Sequence, residues 1–300
     1  MSDDRAAADQ ATETFIAQRN LLFTVAYEML GSAADAEDVL QETWLRWVDV
    51  DLQQVRDQRA YLVRITTRQA LNRLRTMSRR KESYVGPWLP EPLLTTPDVA
   101  QDVELAESVS MAVMLVLETL SPTERAVFVL REVFDVGYDD IAAAVDKTPS
   151  AVRQIAHRAR RRVDARRPRA VVSQRQTRAA VESFARALED GDLQALLDVL
   201  APDVVYMGDG GGVKHAALRP IVGAEKVARL LAGGLGKNTI PVTFGPTMVN
   251  GSPALAVHLD GELDSIVAAR VEADRITGLY VVRNPEKLSR IASETPLTLR

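Results

Sequence analysis

Tyr138-Asp-Asp-Ile-Ala-Ala-Ala-Val-Asp-Lys-Thr-Pro-Ser-Ala-Val-Arg-Gln-Ile-Ala-His-Arg-Ala-Arg-Arg-Arg162 is the stretch that decides the reading of this chain. Tyr138 to Val145 reads as a short helix, Asp146-Lys147 as a turn, and Thr148-Pro149 as the start of a second helix. Val152, Ile155, Ala156, Ala159 and Val163 recur at helical spacing and form its inner face. The small residues Ala142 to Ala144 allow the two helices to cross closely. The outward face carries Ser150, Arg153, Gln154, His157, Arg158 and Arg161. Arg and Gln near the start of such a helix suit base edges in a major groove, and the later arginines suit phosphate. The pattern predicts a DNA-reading helix-turn-helix; the competing reading is a helical hairpin used only for packing.

Charge patterning extends this reading outward. The net charge is -4, yet Arg59 to Lys81 carries eight basic residues and no acid, and Arg153 to Arg169 carries eight arginines against Asp164 alone. Between them, Glu82 to Glu118 holds seven acids and no base, and Met1 to Gln58 holds twelve acids and four bases. Two basic segments kept apart by an acidic one suggest two contacts with a polyanion.

Composition removes several classes. An apolar fraction of 46% supports packed cores, so the chain is not read as disordered. The absence of cysteine excludes disulfides and thiol chemistry, and His157, His215 and His258 lie far apart, so no metal site and no cofactor are expected. The start, Met-Ser-Asp-Asp, does not read as a signal peptide, and no apolar run of about eighteen residues predicts a membrane span. The expected compartment is the cytoplasm.

The remaining segments sort into elements. From Thr12 to Arg80 the pattern is helical: Phe15, Leu22, Val25, Ala26, Met29 and Leu30 line one helix, which Gly31 stops. Ser32 caps the next, with Val39, Leu40, Thr43, Trp44 and Trp47 as its stripe. Tyr61, Leu62, Ile65, Ala70, Leu71 and Leu74 give a third helix with an apolar and a basic face. Tyr84 to Val99 holds Pro87, Pro90, Pro92 and Pro97 and cannot be a helix. Its Trp88, Leu89, Leu93 and Leu94 predict a linker lying on a neighbouring surface or a docking segment. Ser121-Pro-Thr-Glu124 is a capping box. From Gln174 onward two helices broken at Asp190-Gly191 are expected. A strand at Val204 to Met207 and a helix at Gly223 to Leu231 follow. Strands at Ile240 to Phe244, Thr247 to Asn250, Ala254 to Leu259, Ser265 to Glu272 and Ile276 to Val282 then form an antiparallel meander.

Ala36-Glu-Asp-Val-Leu-Gln-Glu-Thr-Trp-Leu-Arg46, Tyr61-Leu-Val-Arg-Ile, the arginine helix, the Ser-Pro-x-Glu-Arg helix and the helix-turn-helix occur in an order that resembles the extracytoplasmic-function (ECF) sigma factors of the sigma-70 family. Trp88-Leu-Pro-Glu-Pro-Leu93, Asp209-Gly-Gly-Gly212 and Asn284-Pro-Glu-Lys-Leu288 resemble the subgroup of the sigma J type, with a fused C-terminal SnoaL-like domain. Asn72 and Glu286 stand where the family usually has Asp, and Lys214 is set off from the glycines by Val213. The resemblance implies a multidomain fold: two all-α sigma-factor domains, the second with the helix-turn-helix, followed by an α+β SnoaL-like (cystatin-like cone) domain. The implied boundaries are residues 10–82 for region 2, 83–103 for the Pro-rich linker, 104–168 for region 4 and 174–292 for the SnoaL-like domain.

The same resemblance implies roles. Asp35, Glu37, Asp38, Gln41, Glu42 and Trp44 would dock on the clamp helices of the largest subunit of the RNA polymerase core. Arg64, Arg68, Asn72, Arg73, Arg75, Arg79 and Arg80 would engage the promoter -10 element, and the helix-turn-helix residues the -35 element. Trp88, Leu89, Pro90, Glu91, Pro92, Leu93, Asp209, Gly210, Gly211, Gly212, Lys214, Asn284, Pro285, Glu286, Lys287 and Leu288 would form an interdomain regulatory contact. The expected function is promoter-specific initiation of transcription, controlled by the fused domain, by a monomer that is not an enzyme. The alternative is a DNA-binding regulator whose last domain senses a small ligand or retains enzyme activity. For that activity Asp209, His215, His258 and Asp260 are the candidate acid and base residues.

Overall fold

A computed structural model describes the backbone of residues 2–95, 102–166, 172–235, 240–291 and 293–299; the side chains of residues 2–8, 78–80, 103 and 235 lie outside the description. The chain divides into two compact units. The first comprises Met1–Glu82, Val116–Arg166 and Pro296–Arg300; the second comprises Ser83–Leu115 and Arg167–Thr295.

The first unit is helical. It contains α1 (Ser2–Leu30), α2 (Ala33–Trp47), α3 (Gln58–Glu82), α6 (Pro122–Phe128), a π turn at Val129–Val133, α7 (Tyr138–Val145) and α8 (Pro149–Asp164). Gly31 ends α1 with φ 69°, its N–H donating to Tyr27 O at 2.7 Å, a left-handed position that glycine takes without strain. Ser32 caps α2 by accepting from Asp35 N at 3.2 Å. Leu22, Val25, Met29, Leu30, Leu40, Trp47 and Leu62 are essentially fully buried. Burial of each such large side chain contributes about 1.5–3 kcal/mol. The indole of Trp47 is satisfied by Ala11 O at 2.9 Å.

The helical module that ends in α8 packs on α3. Arg125 of α6, 2% exposed, donates to Glu28 O at 2.9 Å and pairs with Glu118, which also receives Lys81. Burial pushes the Glu118 carboxyl up, but Arg125 and Lys81 outweigh it and hold it below the usual range.

The second unit contains α4 (Val103–Val109), most of α5 (Met111–Leu117), α9 (Gln174–Glu189), α10 (Leu193–Val199) and α11 (Ala224–Leu235). It also holds β1 (Leu200–Asp209), β2 (Ile221–Val222), β3 (Val242–Val249), β4 (Ser252–Leu259), β5 (Glu262–Glu272), β6 (Arg275–Val282) and α12 (Pro285–Leu288). The sheet order is β2-β1-β6-β5-β4-β3. Val181, Phe184, Leu188, Leu196 and Val227 from the helices cover one face, against Leu255, Val267, Leu279 and Val281. Leu89, Met111 and Leu288 cover the other, against Ile266, Ala268, Tyr280 and Val282.

Three sequence expectations are corrected here. β1 begins at Leu200, earlier than expected, and joins the antiparallel meander of the later strands by pairing with β6 in parallel. The two strands expected at Ile240 to Asn250 are one, β3, running through Gly245-Pro246. β3 is the edge of the sheet, where a proline without an N–H removes no bond that a neighbouring strand needs. The helix expected at Gly223 to Leu231 continues to Leu235.

Candidate functional site

The helix-turn-helix forms as its sequence dictates. Asp146 takes φ 60° at the turn, a conformation that Asp tolerates better than most residues. Thr148 Oγ1 accepts from Ala151 N at 3.2 Å to cap α8. Val152, Ala156, Ala159 and Val163 are buried, while Ser150, Arg153, Gln154, His157, Arg158 and Arg161 are all exposed on the opposite side. The intervening Arg160 and Arg162 are held by Glu132 and Glu124, at 2.9 and 2.7 Å. Arg160 and Arg162, themselves exposed, are thus occupied in bracing α8.

On α2, the acidic residues divide. Asp35 and Asp38 both pair with Arg73 of α3, the first at 2.6 Å. Burial lowers the Arg73 pKa, but the two carboxylates outweigh it and raise it above the usual value. Glu37 pairs with Arg19 at 2.8 Å. Gln41 and Glu42 are exposed, and Trp44 is half-buried with its ring 5.2 Å from Phe15. On α3, Arg64 lies over the Tyr61 ring at 4.6 Å. Arg68 donates to Ala143 O of α7 at 2.7 Å. Asn72 accepts from Arg75 at 3.2 Å, and both are exposed. The side chains of Arg79 and Arg80 lie outside the described residues. Arg73 therefore clamps α2 to α3 rather than standing with the exposed arginines.

In the second unit, three segments distant in sequence meet at one carboxylate. Asp209, at the end of β1, is fully buried. It accepts from Tyr84 OH at 2.6 Å, Leu89 N at 2.9 Å, Gly211 N at 3.1 Å and Lys287 Nζ at 2.7 Å. Lys287 Nζ also donates to Leu89 O and lies over the Trp88 ring at 4.0 Å, a cation–π contact in a largely dry setting. Asn284 caps α12 and donates to Tyr84 OH at 2.8 Å. Burial first, then the Asp209 bond, holds the Tyr84 hydroxyl well above the usual phenol range.

The glycines permit this approach. A Cβ on Gly211, at φ 63°, would lie 2.5 Å from the Asn284 amide, and one on Gly210 would lie 2.0 Å from Lys214 O. Pro90, Glu91, Pro92 and Leu93 are buried behind the clasp, whereas Pro285 and Glu286 are exposed. Further along, Asn250 Oδ1 accepts from Leu93 N at 3.0 Å and its amide donates to Val109 O at 2.9 Å.

Lys214 stands apart from the clasp. It donates to Asp264 at 2.9 Å, as does Arg283. Burial pushes the Asp264 carboxyl up, but these bonds outweigh it and hold it below the usual range. The sequence reading missed Tyr84, Asn250, Asp264 and Arg283. Asn250-Gly251 was available as a hairpin signal, and Asp264 as an acid within an otherwise apolar strand. Nothing local marks Tyr84 or Arg283. The four candidate acid–base residues are dispersed: Asp209 is in the clasp, Asp260 in a hairpin turn at φ 52°, His258 half-buried on β4 and His215 exposed.

Residues 15–80 match the model of sigma-70 region 2, and residues 110–163 that of sigma-70 region 4. The chain is 36% identical over 294 residues to the ECF RNA polymerase sigma factor SigJ of Mycobacterium tuberculosis, covering 92% of each. It is 31% identical to the probable ECF RNA polymerase sigma factor SigI of that organism, covering 95% of this chain and 97% of that one. The crystal structure of the M. tuberculosis SigJ protein matches with a TM-score of 0.73 at 33% identity, covering 93% of this chain and 98% of that one.

Proposed function

The chain belongs to the extracytoplasmic-function RNA polymerase sigma factors, and we propose that its fused α+β domain governs promoter engagement by holding the segment that joins regions 2 and 4. Members of this family bind core RNA polymerase and promoter DNA and initiate transcription; membership implies a protein that is not an enzyme. The single observation that carries the proposed control is Asp209, a buried carboxylate gathering Tyr84, Leu89 and Lys287.

The physical logic is one of reach. A free linker over residues 83–103, about twenty residues, would extend to roughly 70 Å. Fixing Tyr84 to Thr95 on the last domain removes most of that freedom. Arg68 bonded to Ala143 O cannot hold a DNA phosphate with the same N–H. That bond ties region 2 to region 4, and the held linker limits how far the two can part when promoter DNA is engaged.

Region 2 is residues 10–82, the linker 83–103, region 4 104–168, and the SnoaL-like domain 174–292. Exposed Gln41, Glu42 and half-buried Trp44 meet the polymerase clamp helices; Asp35, Glu37 and Asp38 shape that surface through their arginine partners. Arg64, Arg68, Asn72 and Arg75 serve the -10 element, and Ser150, Arg153, Gln154, His157, Arg158 and Arg161 the -35 element. The protein acts in the cytoplasm as a monomer, and its last domain accommodates a small ligand.

The test is promoter-specific transcription by core polymerase with the full chain and with a chain truncated after Arg169. Truncation is expected to change transcript yield. Equal yield at equal occupancy of polymerase would overturn the regulatory reading.

A further inference from the structure

A cavity of about 450 Å³ lies between the sheet of the second unit and its helices, within the roughly 300–1,000 Å³ typical of small-molecule sites. Its walls are apolar: Leu188, Leu231, Phe244, Val257, Val267 and Leu279. Two of the residues that line it, Tyr206 and Ser265, carry hydroxyls. Tyr206 is 7% exposed and Ser265 4% exposed. Burial first raises the Tyr206 pKa, more than Arg283 lowers it, so the hydroxyl remains a neutral donor.

The polar end of the cavity is built by a β-bulge. Val257 pairs with Ser265 and His258 with Leu263, which leaves Asp264 unmatched in the ladder; a bulge redirects the extra side chain. Asp264 lines the cavity together with Arg283 and the exposed His215. Arg283 makes two 2.9 Å bonds to Asp264 and one 2.6 Å bond to His215 O. Lys214 adds a second cation to the same carboxylate. One acid against two bases leaves this end positive, with guanidinium N–H groups still available beyond the three bonds named.

We propose that this cavity binds a small molecule with an apolar body and a single carboxylate head, the body against the Leu, Val and Phe walls. The head accepts from Tyr206 and faces Arg283. This rests on the reading of the last domain as one that accommodates a ligand. It also links the cavity to the clasp: Arg283 N donates to Asp209 O at 2.7 Å, and Asn284 follows directly.

The experiment is calorimetric titration of the full-length protein with decanoate, and with decylamine and decanol as matched chains carrying other heads. Saturable one-to-one binding of decanoate, at least about tenfold tighter than either control, is expected. Y206F, which removes only the hydroxyl, should weaken decanoate about tenfold, the scale of one hydrogen bond to a charged group. Ala217→Trp, which fills the cavity, should abolish it. No saturable decanoate binding would overturn the proposal, as would equal binding of all three chains or wild-type binding by Y206F. Should Ala217→Trp fail to fold, Y206F carries the test alone. Transcription is not read here, so failure of this proposal and failure of the linker reading are distinguishable.

Discussion

Replacing Asp209 by Asn isolates what the clasp contributes. The carboxylate is fully buried and takes bonds from Tyr84, Leu89, Gly211 and Lys287. The amide keeps one acceptor oxygen, adds an NH₂ among donors, and leaves the Lys287 ammonium without its counter-charge. Removing one partner of a buried pair costs about 3–5 kcal/mol. The Lys287 side chain retains 11% exposure and its Trp88 contact, so the lower end, about 3 kcal/mol, is expected. For a unit of this size that is a fall in Tm of roughly 6–12 °C. Differential scanning calorimetry of the full chain reads it. Lys287→Met alone should cost a similar amount, because it removes the counter-charge of the buried carboxylate. The double variant should cost clearly less than the sum of the two. A Tm within about 1 °C of wild type for Asp209→Asn, or strict additivity of the pair, would refute the reasoning.

Further outcomes follow from the same geometry. Gly211→Ala combines φ 63° with a 2.5 Å clash on Asn284 and should cost about 2 kcal/mol or more. Gly191→Ala, at φ 65° in open space, should cost only about 1 kcal/mol in the same melts. Arg73→Met should lower the Tm of the first unit by a cost of about 1 kcal/mol, since it breaks the pairs to Asp35 and Asp38. Arg75→Ala, exposed, should leave Tm unchanged and weaken promoter binding in filter or anisotropy assays. Arg158→Ala should weaken DNA binding across sequences and reduce the salt slope by about 1. Asp264, held below its usual pKa, contributes stability that is present above the unfolded value of about 3.9 and lost as pH falls through the folded one. Acid melts should therefore steepen below about pH 4, and Asp264→Asn should flatten that dependence.

The sequence carried the local decisions well because they rest on neighbouring residues. Ser32, Ser121 and Thr148 cap the helices that follow them, and Asp146 makes the turn of the helix-turn-helix. Leu89 and Leu93 are buried, in keeping with their being too apolar for an idle spacer. What stayed hidden depends on partners remote in sequence. Pro246 suggested a break in β3 until the strand proved to be an edge. The parallel pairing of β1 with β6 joins residues more than seventy positions apart and has no local signature. Arg73 reads as one more basic residue of a DNA-facing helix, and only folding brings Asp35 and Asp38 to it. Tyr84 and Arg283 acquire their importance chiefly from Asp209 and Asp264, more than a hundred and about twenty residues away.

The most direct test of the central claim is promoter-specific transcription by core RNA polymerase with wild-type protein, Trp88→Ala and Asp209→Asn. It should be run below the melting temperature of each variant and at matched polymerase occupancy. The account predicts that both variants, which loosen the linker without touching any residue assigned to polymerase or DNA, change transcript yield in the same direction. Yields equal to wild type from both, with the clasp measurably weakened in the melts, would contradict it.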